Sequence, residues 1–366
     1  MRLDELFATI PLWLLRSSVF AFGLLWGSFL NVVIYRVPRD MSVVRPASHC
    51  PGCGKPIAPY DNIPVLSYVI LRGRARCCGV RMSPRYPLVE LLGGLLSLAI
   101  FELLILKLPG ATPVGRAAAI YGADFALCLG LVAAAFIDAE HMFLPDSITI
   151  GGTVVGVFTA SLRDLGTIDS LIGAGAGFFG VFIPFIFLYK GLLGRTGMGL
   201  GDAKLLALAG AWFGWPGAVF TLLAGAVQGS LYAGITRLFG IEPKLPDAVL
   251  EDIADLEKAA AAGDEEAKKA LAEDPLTEDE SDAFILTFFR RLVGMKDEPE
   301  AQPQQAPSTA GAEEEREERE EEGEEEERTL RARIPFGPFL ILGILELLFG
   351  GDWLKEHLAS FLWPVL

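Results

Sequence analysis

Two aspartates stand beside strongly apolar runs, where an ionisable side chain is costly and is usually functional. Asp138 follows the run LVAAAFI, and Asp202 follows the glycine-rich stretch GMGLG. Because glycine permits an unwound and closely packed backbone, the chain beside Asp202 can depart from a regular helix. Two carboxyl groups that meet in a medium of low dielectric constant share a proton, and the ionised one can accept a proton from water. This pair of residues therefore predicts the chemistry of an aspartic protease.

Each of these aspartates also has a structural explanation when it is taken alone. Asp202 suits a helix N-cap, and Asp138 suits the interfacial end of a helix. For Asp146, which follows a proline, an N-cap is the better explanation. Lys204 either acts on a neighbouring carboxyl group or extends its ammonium group to the lipid headgroups. Asp124 lies within the apolar run that Asp138 ends, nearer its outer half, and is predicted to lie far from the aspartate pair.

Four cysteines have the residue type and the spacing of a metal site. Cys50 and Cys53 form a CPGC turn, and Cys77 and Cys78 follow in the same basic stretch. Four thiolates predict a tetrahedral, structural zinc site, and a reducing cytoplasm favours metal over a disulfide. Because Cys77 and Cys78 are adjacent, two alternatives stay open. One is a three-thiolate site completed by Cys77, His49 or water, and the other is a loop that folds without metal.

The elements that position these residues are apolar helices. The chain has 366 residues, 52% of them hydrophobic, and a mean hydropathy of +0.41. We predict an all-α polytopic membrane protein with about eight transmembrane helices. The sixth run ends at Trp215-Pro216 and is predicted to form a broken hairpin with the seventh. The runs are 15–35, 87–107, 116–137, 147–162, 169–190, 203–215, 217–238 and 335–350.

Two charged segments interrupt these runs. Residues 36–86 hold nine Arg and Lys against two Asp, so the positive-inside rule predicts that this loop is cytoplasmic. Residues 241–333 hold 30 Asp and Glu against 12 Lys and Arg, which accounts for the net charge of −15. We predict that this insert is a largely disordered cytoplasmic linker, with a docking surface for a basic partner as the alternative.

Several stretches together resemble the bacterial type IV prepilin peptidases. The aspartates lie in two of them, FID through LPD at 136–146 and GMGLGDAK at 197–204, the second being the GxGD element. The other similar stretches are GSFLNVVIYRVP at 27–38, CPGC at 50–53, YDNIP at 60–64, YPLVE at 86–90 and IPFGPF at 334–339. The resemblance covers residues 15–240 and 331–350 in order.

The resemblance implies an aspartic endopeptidase of the bacterial inner membrane with its active site at the cytoplasmic face. Such enzymes cut the basic leader from prepilins and pseudopilins after a Gly. Many members then methylate the new N-terminus with S-adenosylmethionine. Carried over by motif, Asp138 and Asp202 are the catalytic pair, and Asp146 matches a recurrent family position that is not usually assigned to catalysis. We expect the lipid bilayer and the prepilin as partners, and no nucleic acid.

The resemblance also organises the chain into domains. They are a first span at 1–35, a cysteine loop at 36–86, a transmembrane peptidase core at 87–240, the acidic insert at 241–333 and a last span at 334–366. The sequence departs from the family where Ala75 stands in place of a cysteine and where the insert is unusually long. The alternatives are a cation transporter that uses intramembrane aspartates and a regulatory metal loop, and a membrane scaffold.

Overall fold

The computed structural model describes residues 1–181, 183–184, 199–241, 245–262, 268 and 334–362. Over these residues the regular structure consists of α-helices and short 3-10 turns, with isolated bridges in place of named strands. The predicted all-helical class is therefore confirmed. The α-helices are α1 (Leu3–Thr9), α2 (Leu12–Arg36), α3 (Leu66–Ile70), α4 (Arg85–Leu103), α5 (Val114–His141), α6 (Asp146–Phe158), α7 (Thr167–Val181), α8 (Leu200–Leu238), α9 (Asp247–Ala261) and α10 (Gly337–Leu362).

Four helical segments of the described chain are long and apolar enough to cross a membrane. They are Leu12–Arg39, Arg85–Lys107, Val114–His141 and Leu200–Leu238. These correspond to the first three predicted spans and to the sixth and seventh together. Shorter apolar helices stand at the fourth and eighth predicted spans, and α7 covers the fifth as far as residue 181. These segments indicate a multi-pass membrane protein, while the number of eight spans stays a prediction.

Helix α8 breaks in the middle. Gly214 has φ 73° and ψ 178°, a conformation outside the helical region and in the range that favours glycine. Pro216 lies two residues further on and cannot donate a backbone hydrogen bond to the preceding turn. The break therefore stands where the sequence predicts the end of the sixth apolar run.

Contacts on either side of the break show that the chain reverses there. In a continuous helix, Gly201 and Gly229 would lie about 42 Å apart. A Cβ atom on Gly229 would instead lie 3.5 Å from the ring of Phe336, next to Gly337 in the chain. Cβ positions on Gly337 and Gly201 lie 3.3 and 3.2 Å from Leu144. Gly201 and Gly229 thus approach the same place from the two sides of the break, as the predicted hairpin requires.

Glycines allow several of these helices to pack backbone against backbone. A Cβ atom on Gly23 would overlap the backbone of Gly93, and one on Gly93 would overlap the backbone of Gly23, so α2 and α4 touch there. The same holds between α7 and α8 at Gly173 and Gly210. Such close approach is typical of membrane helices, which associate through small residues in place of a hydrophobic driving force.

A buried apolar cluster aligns one end of three helices. It joins Ile34 near the end of α2, Val89 near the start of α4 and Ile137 near the end of α5. Asp138 follows directly in the chain. The cluster therefore places the proposed catalytic end of α5 at the same level as the two helix ends that carry the cysteine loop.

The chain divides into two compact units. The first holds Met1–Ala139, Phe143–Gly229 and Phe336–Leu366, and the second holds Glu140–Met142 and Ser230–Pro335. The second unit contains α9, in which Val249 is buried, and Leu245 shortly before this helix is buried as well. Most of the predicted acidic insert, including its Glu-rich stretch, lies outside the described residues. The predicted domain limits stay predictions.

Candidate active site

Asp138 occupies a buried position in the last turn of α5. Its exposed fraction is 6%, and its Oδ2 atom has no hydrogen-bond partner among the described residues. The backbone of Gly337, at the start of α10, faces this carboxyl group. A Cβ atom on Gly337 would lie 2.5 Å from Asp138 Oδ2, so a larger residue would displace the carboxyl group. Glycine at this position leaves one carboxyl oxygen open to a further partner.

Asp202 lies in the first turn of α8 and is partly buried. The backbone of Gly199 donates a hydrogen bond to its carboxyl group. The carboxyl groups of Asp202 and Asp138 are close enough to interact electrostatically. The structure therefore brings together the two aspartates that the sequence singled out. Gly197 and Met198, the first residues of the glycine-rich motif, lie outside the described residues.

Leu144 joins the two aspartate segments. This side chain is buried, and it lies between the backbone of Gly201, next to Asp202, and that of Gly337, against Asp138. Since both neighbours are glycines, the leucine packs directly on the main chain of each segment. One apolar side chain thus sets the spacing between α8 and α10 beside the pair.

The predicted N-cap role of Asp146 is wrong. Pro145 occupies the N-cap position of α6, and no side-chain cap hydrogen bond forms there. The Oδ1 atom of Asp146 instead lies 2.7 Å from Nζ of Lys204, whose side chain is only 5% exposed. Since a buried ammonium group needs a counter-charge, the carboxylate turns to Lys204 and away from its own helix. This ion pair ties the start of α6 to the first turn of α8.

Asp124 does not belong to the aspartate pair, in agreement with the prediction. It stands fourteen residues before Asp138, about 21 Å along the helix α5. Its side chain is buried and interacts electrostatically with Arg163. The Arg163 guanidinium group donates to the carbonyl groups of Gly156 at 2.6 Å and Trp212 at 3.2 Å. Arg163 thereby satisfies carbonyl groups at the far ends of α6 and of the first half of α8.

The cysteine loop is built from two similar turns. In the first, the N–H of Cys50 bonds to the carbonyl of Lys55, and a bridge joins His49 to Pro56. The second turn has the same design, because the N–H of Ala75 bonds to the carbonyl of Val80 beside a bridge between residues 74 and 81. Each turn presents two thiols. Ala75, where the sequence lacks the expected cysteine, contributes its backbone to the second turn.

All four thiols of the loop meet in one cluster, with their sulfur atoms within 4.8 Å of one another. The sulfur of Cys50 lies 3.5 Å from that of Cys78, and Cys53 lies 3.3 Å from Cys77. A tetrahedral zinc ion with four thiolates separates its sulfur atoms by about 3.8 Å, so this donor set fits zinc. The adjacent Cys77 therefore reaches the cluster, and His49 is not part of this group.

Local hydrogen bonds make the thiols of this cluster unequal. The backbone N–H of Gly52 faces the sulfur of Cys50 and lowers the pKa of this thiol to about 6. Hydrogen bonds to Cys53 and Cys50 raise the pKa of the Cys77 thiol. Cys50 is the buried member of the four, while the other three are exposed. The backbone therefore favours the ionised form of the buried Cys50 thiol.

Two polar residues for which the sequence predicts no role connect the loop and the helices. Asn31 on α2 donates from Nδ2 to the carbonyl of Tyr86 at 3.1 Å. Glu90 on α4 accepts the backbone N–H of Val65 through Oε2 at 2.6 Å. Both are polar residues within apolar runs, which is the signal that could have identified them. These two hydrogen bonds therefore hold α2, α4 and the loop together.

Two family models match this chain. The model of the bacterial peptidase A24 N-terminal domain matches residues 21–104, and that of the type IV leader peptidase family matches residues 125–234. No solved structure matches the chain.

Curated relatives carry the name prepilin leader peptidase/N-methyltransferase. The relative from Myxococcus xanthus is 38% identical over 347 residues, which is 93% of this chain and 92% of the relative. The relative from Klebsiella pneumoniae is 40% identical over 230 residues, 60% of this chain and 94% of the relative. The relative from Pseudomonas aeruginosa is 34% identical over 277 residues, 67% of this chain and 89% of the relative. On these matches, the chain belongs to the type IV leader peptidase family.

Proposed function

We propose that this protein is a membrane aspartic endopeptidase that removes the basic leader from prepilins or pseudopilins, with Asp138 and Asp202 as its catalytic pair. The observation that carries the proposal is that two carboxyl groups from separate apolar helices lie close enough to interact electrostatically. One of them keeps a buried oxygen atom without a described partner. The family membership favours this function over the cation transporter.

The proposed reaction follows from what two interacting carboxyl groups can do. The protonated one donates a hydrogen bond to the scissile carbonyl oxygen, and the ionised one removes a proton from the attacking water. The water oxygen then bonds to the carbonyl carbon, and the peptide nitrogen leaves with a proton from the acid. We infer that the cut follows a Gly of the leader, as in the family that the sequence resembles.

The neighbours of the pair act as positioning residues in this proposal. Leu144 sets the distance between the backbone beside Asp202 and the backbone against Asp138. The ion pair between Asp146 and Lys204 fixes α6 to the turn that carries Asp202. Catalysis depends on such pre-set geometry, because an error of about 1 Å can cost a factor of about 100 in rate.

We place the active site on the cytoplasmic side of the bacterial inner membrane. The support comes from the cluster of Ile34, Val89 and Ile137, which aligns Asp138 with the helix ends that carry the loop. That loop holds nine basic residues, and basic loops stay in the cytoplasm. The basic leader of a prepilin lies on the same side, so its scissile bond falls near the depth of the pair.

We also infer N-methylation of the new N-terminus with S-adenosylmethionine, from the name that the relatives carry. We assign none of the described residues to that co-substrate. Zinc would be held by the four loop thiolates and would supply structural cross-linking, since four protein ligands leave no position open for substrate.

Cleavage of a purified prepilin tests the main proposal. The protein in detergent should release the leader, and mass spectrometry should locate the cut after Gly. Asp138→Asn and Asp202→Asn should each abolish cleavage, because an amide does not exchange protons and cannot replace either carboxyl group.

Asp124→Asn provides a matched control. This aspartate is buried on the same helix as Asp138 but lies far from the pair, so its variant should still cut the prepilin. Robust cleavage by either Asp138→Asn or Asp202→Asn would exclude that residue from the catalytic pair.

A further inference from the structure

The short helix α3 in the cysteine loop exposes an apolar face. Leu66, Val69 and Ile70 lie on this face at helical spacing, with exposed fractions of 51%, 64% and 63%. These values match that of Leu25 on the membrane-span candidate α2, which is 61% exposed. An apolar face of this kind in a polar loop needs a partner, because water solvates it poorly.

The opposite face of α3 is already occupied by the loop itself. Ser67 accepts the backbone N–H of Ile63 and donates to the carbonyl of Tyr60, both at 3.1 Å. The ring of Tyr68 lies against Gly73. These contacts fix the rotation of α3 about its axis, so its apolar side chains point away from the loop.

The attachment of α3 places it at the edge of the membrane. Its first turn is tied to Glu90, whose Oε2 accepts the N–H of Val65 at 2.6 Å. Glu90 lies on α4 next to Val89, which belongs to the buried cluster with Ile34 and Ile137. Since these residues belong to segments long and apolar enough to cross a membrane, α3 begins level with the ends of the spans.

The surroundings of α3 match an interfacial position in charge and in polarity. Arg72, Arg74 and Arg81 follow it with exposed side chains. On α4, Leu88 and Leu91 stand on either side of Glu90 and are themselves exposed and apolar. Apolar side chains beside exposed arginines are typical of segments that lie in the headgroup region of anionic membranes.

We propose that the face formed by Leu66, Val69 and Ile70 docks into the interface of a bilayer that contains anionic lipids. This contact holds the loop against the membrane, at the depth of the aspartate pair. This inference concerns the lipid contact of the loop and does not depend on the peptidase function.

A fluorescent amino acid incorporated at position 69 of the full chain tests the docking. The protein is placed in vesicles of phosphatidylcholine and phosphatidylglycerol, with and without lipids that carry a shallow nitroxide quencher. Docking predicts blue-shifted emission and strong quenching at position 69. The same probe at the exposed position 55, in the turn of the first cysteine pair, should emit as in water and resist quenching.

Two further variants sharpen the test. With the probe at position 66, the double change Val69→Ser/Ile70→Ser should reduce quenching, while Val44→Ser should leave it unchanged. Val44 is an exposed apolar residue of the same loop outside α3. Water-like emission at position 69 in the vesicles would overturn the proposal. So would a blue shift that requires added prepilin, since it would assign the face to the substrate.

Discussion

The aspartate site and the cysteine loop both gather side chains that are far apart in the sequence, but they do so in opposite surroundings. The aspartates are held at the ends of apolar helices, and Asp138 keeps an oxygen atom without a described partner. The thiols lie in two hydrogen-bonded turns, and each has another sulfur atom within reach. A site with an open polar atom is suited to reaction, whereas four mutually satisfied ligands are suited to structural support.

The largest effect that this comparison predicts concerns the carboxyl groups themselves. Asp138→Asn and Asp202→Asn should each lower the cleavage rate by about 10³-fold or more, because general acid and base catalysis is lost. The melting temperature and the metal content should stay near those of the wild type. Parallel loss of metal would show that the two regions are not independent.

A smaller but still large effect is expected for Gly337→Ala. The new Cβ atom would fall 2.5 Å from Asp138 Oδ2 and should displace this carboxyl group, which lowers kcat by about 100-fold. Gly350→Ala is the matched control on the same helix, because a Cβ atom there has no atom within 4 Å. Equal kcat values for the two variants would contradict the positioning role of Gly337.

Loss of the ion pair between Asp146 and Lys204 should have a smaller effect than loss of the aspartate pair, but a larger effect than loss of an N-cap. Asp146→Asn removes the carboxylate that pairs with a buried ammonium group, which should cost about 3 kcal/mol of unfolding free energy. Lys204→Met should cost less, because Asp146 is 32% exposed and water can solvate it.

Denaturation of both single variants and of the double variant measures the coupling within this pair. We expect the double variant to be more stable than the sum of the single losses predicts. If the losses of unfolding free energy are additive and cleavage is unchanged in every variant, Asp146 has only a minor local role.

Removal of two thiols should separate structure from catalysis. Cys50→Ser/Cys53→Ser should lose the metal and lower the melting temperature, because the two turns are no longer cross-linked. Metal analysis of the wild type, purified without chelators, should find about one zinc ion per chain. Cleavage at low temperature should fall only a few-fold. A metal-free wild type would remove the zinc from the proposal.

The smallest effect is expected for deletion of residues 300–330 from the acidic insert. These residues carry a Glu-rich stretch that can attract a basic leader, and such steering is screened beyond about 10 Å at 0.1 M salt. Cleavage at saturating prepilin should stay unchanged, while capture at low salt should slow. Initial rates that are identical at low and high salt would make the insert a linker only.

The helical class, the aspartates that could react and the cysteines that could bind metal were all predictable from the amino-acid sequence. These inferences rest on local properties: runs of apolar residues, glycines beside an aspartate, and the spacing of thiols. The break in α8 could also be predicted from the sequence, because Pro216 and the nearby Gly214 disfavour a continuous helix.

Which of these residues come together depends on the packing of distant segments. The sequence predicted an N-cap at Asp146, but the buried ammonium group of Lys204, from a distant helix, attracts that carboxylate more strongly. Cys77 looked displaced in the sequence, yet the fold of its turn brings it 3.3 Å from Cys53. Leu144 carries no chemical signal at all, and it matters because two glycine backbones pack against it. Contacts of this kind join segments far apart in the chain, and local spacing does not encode them.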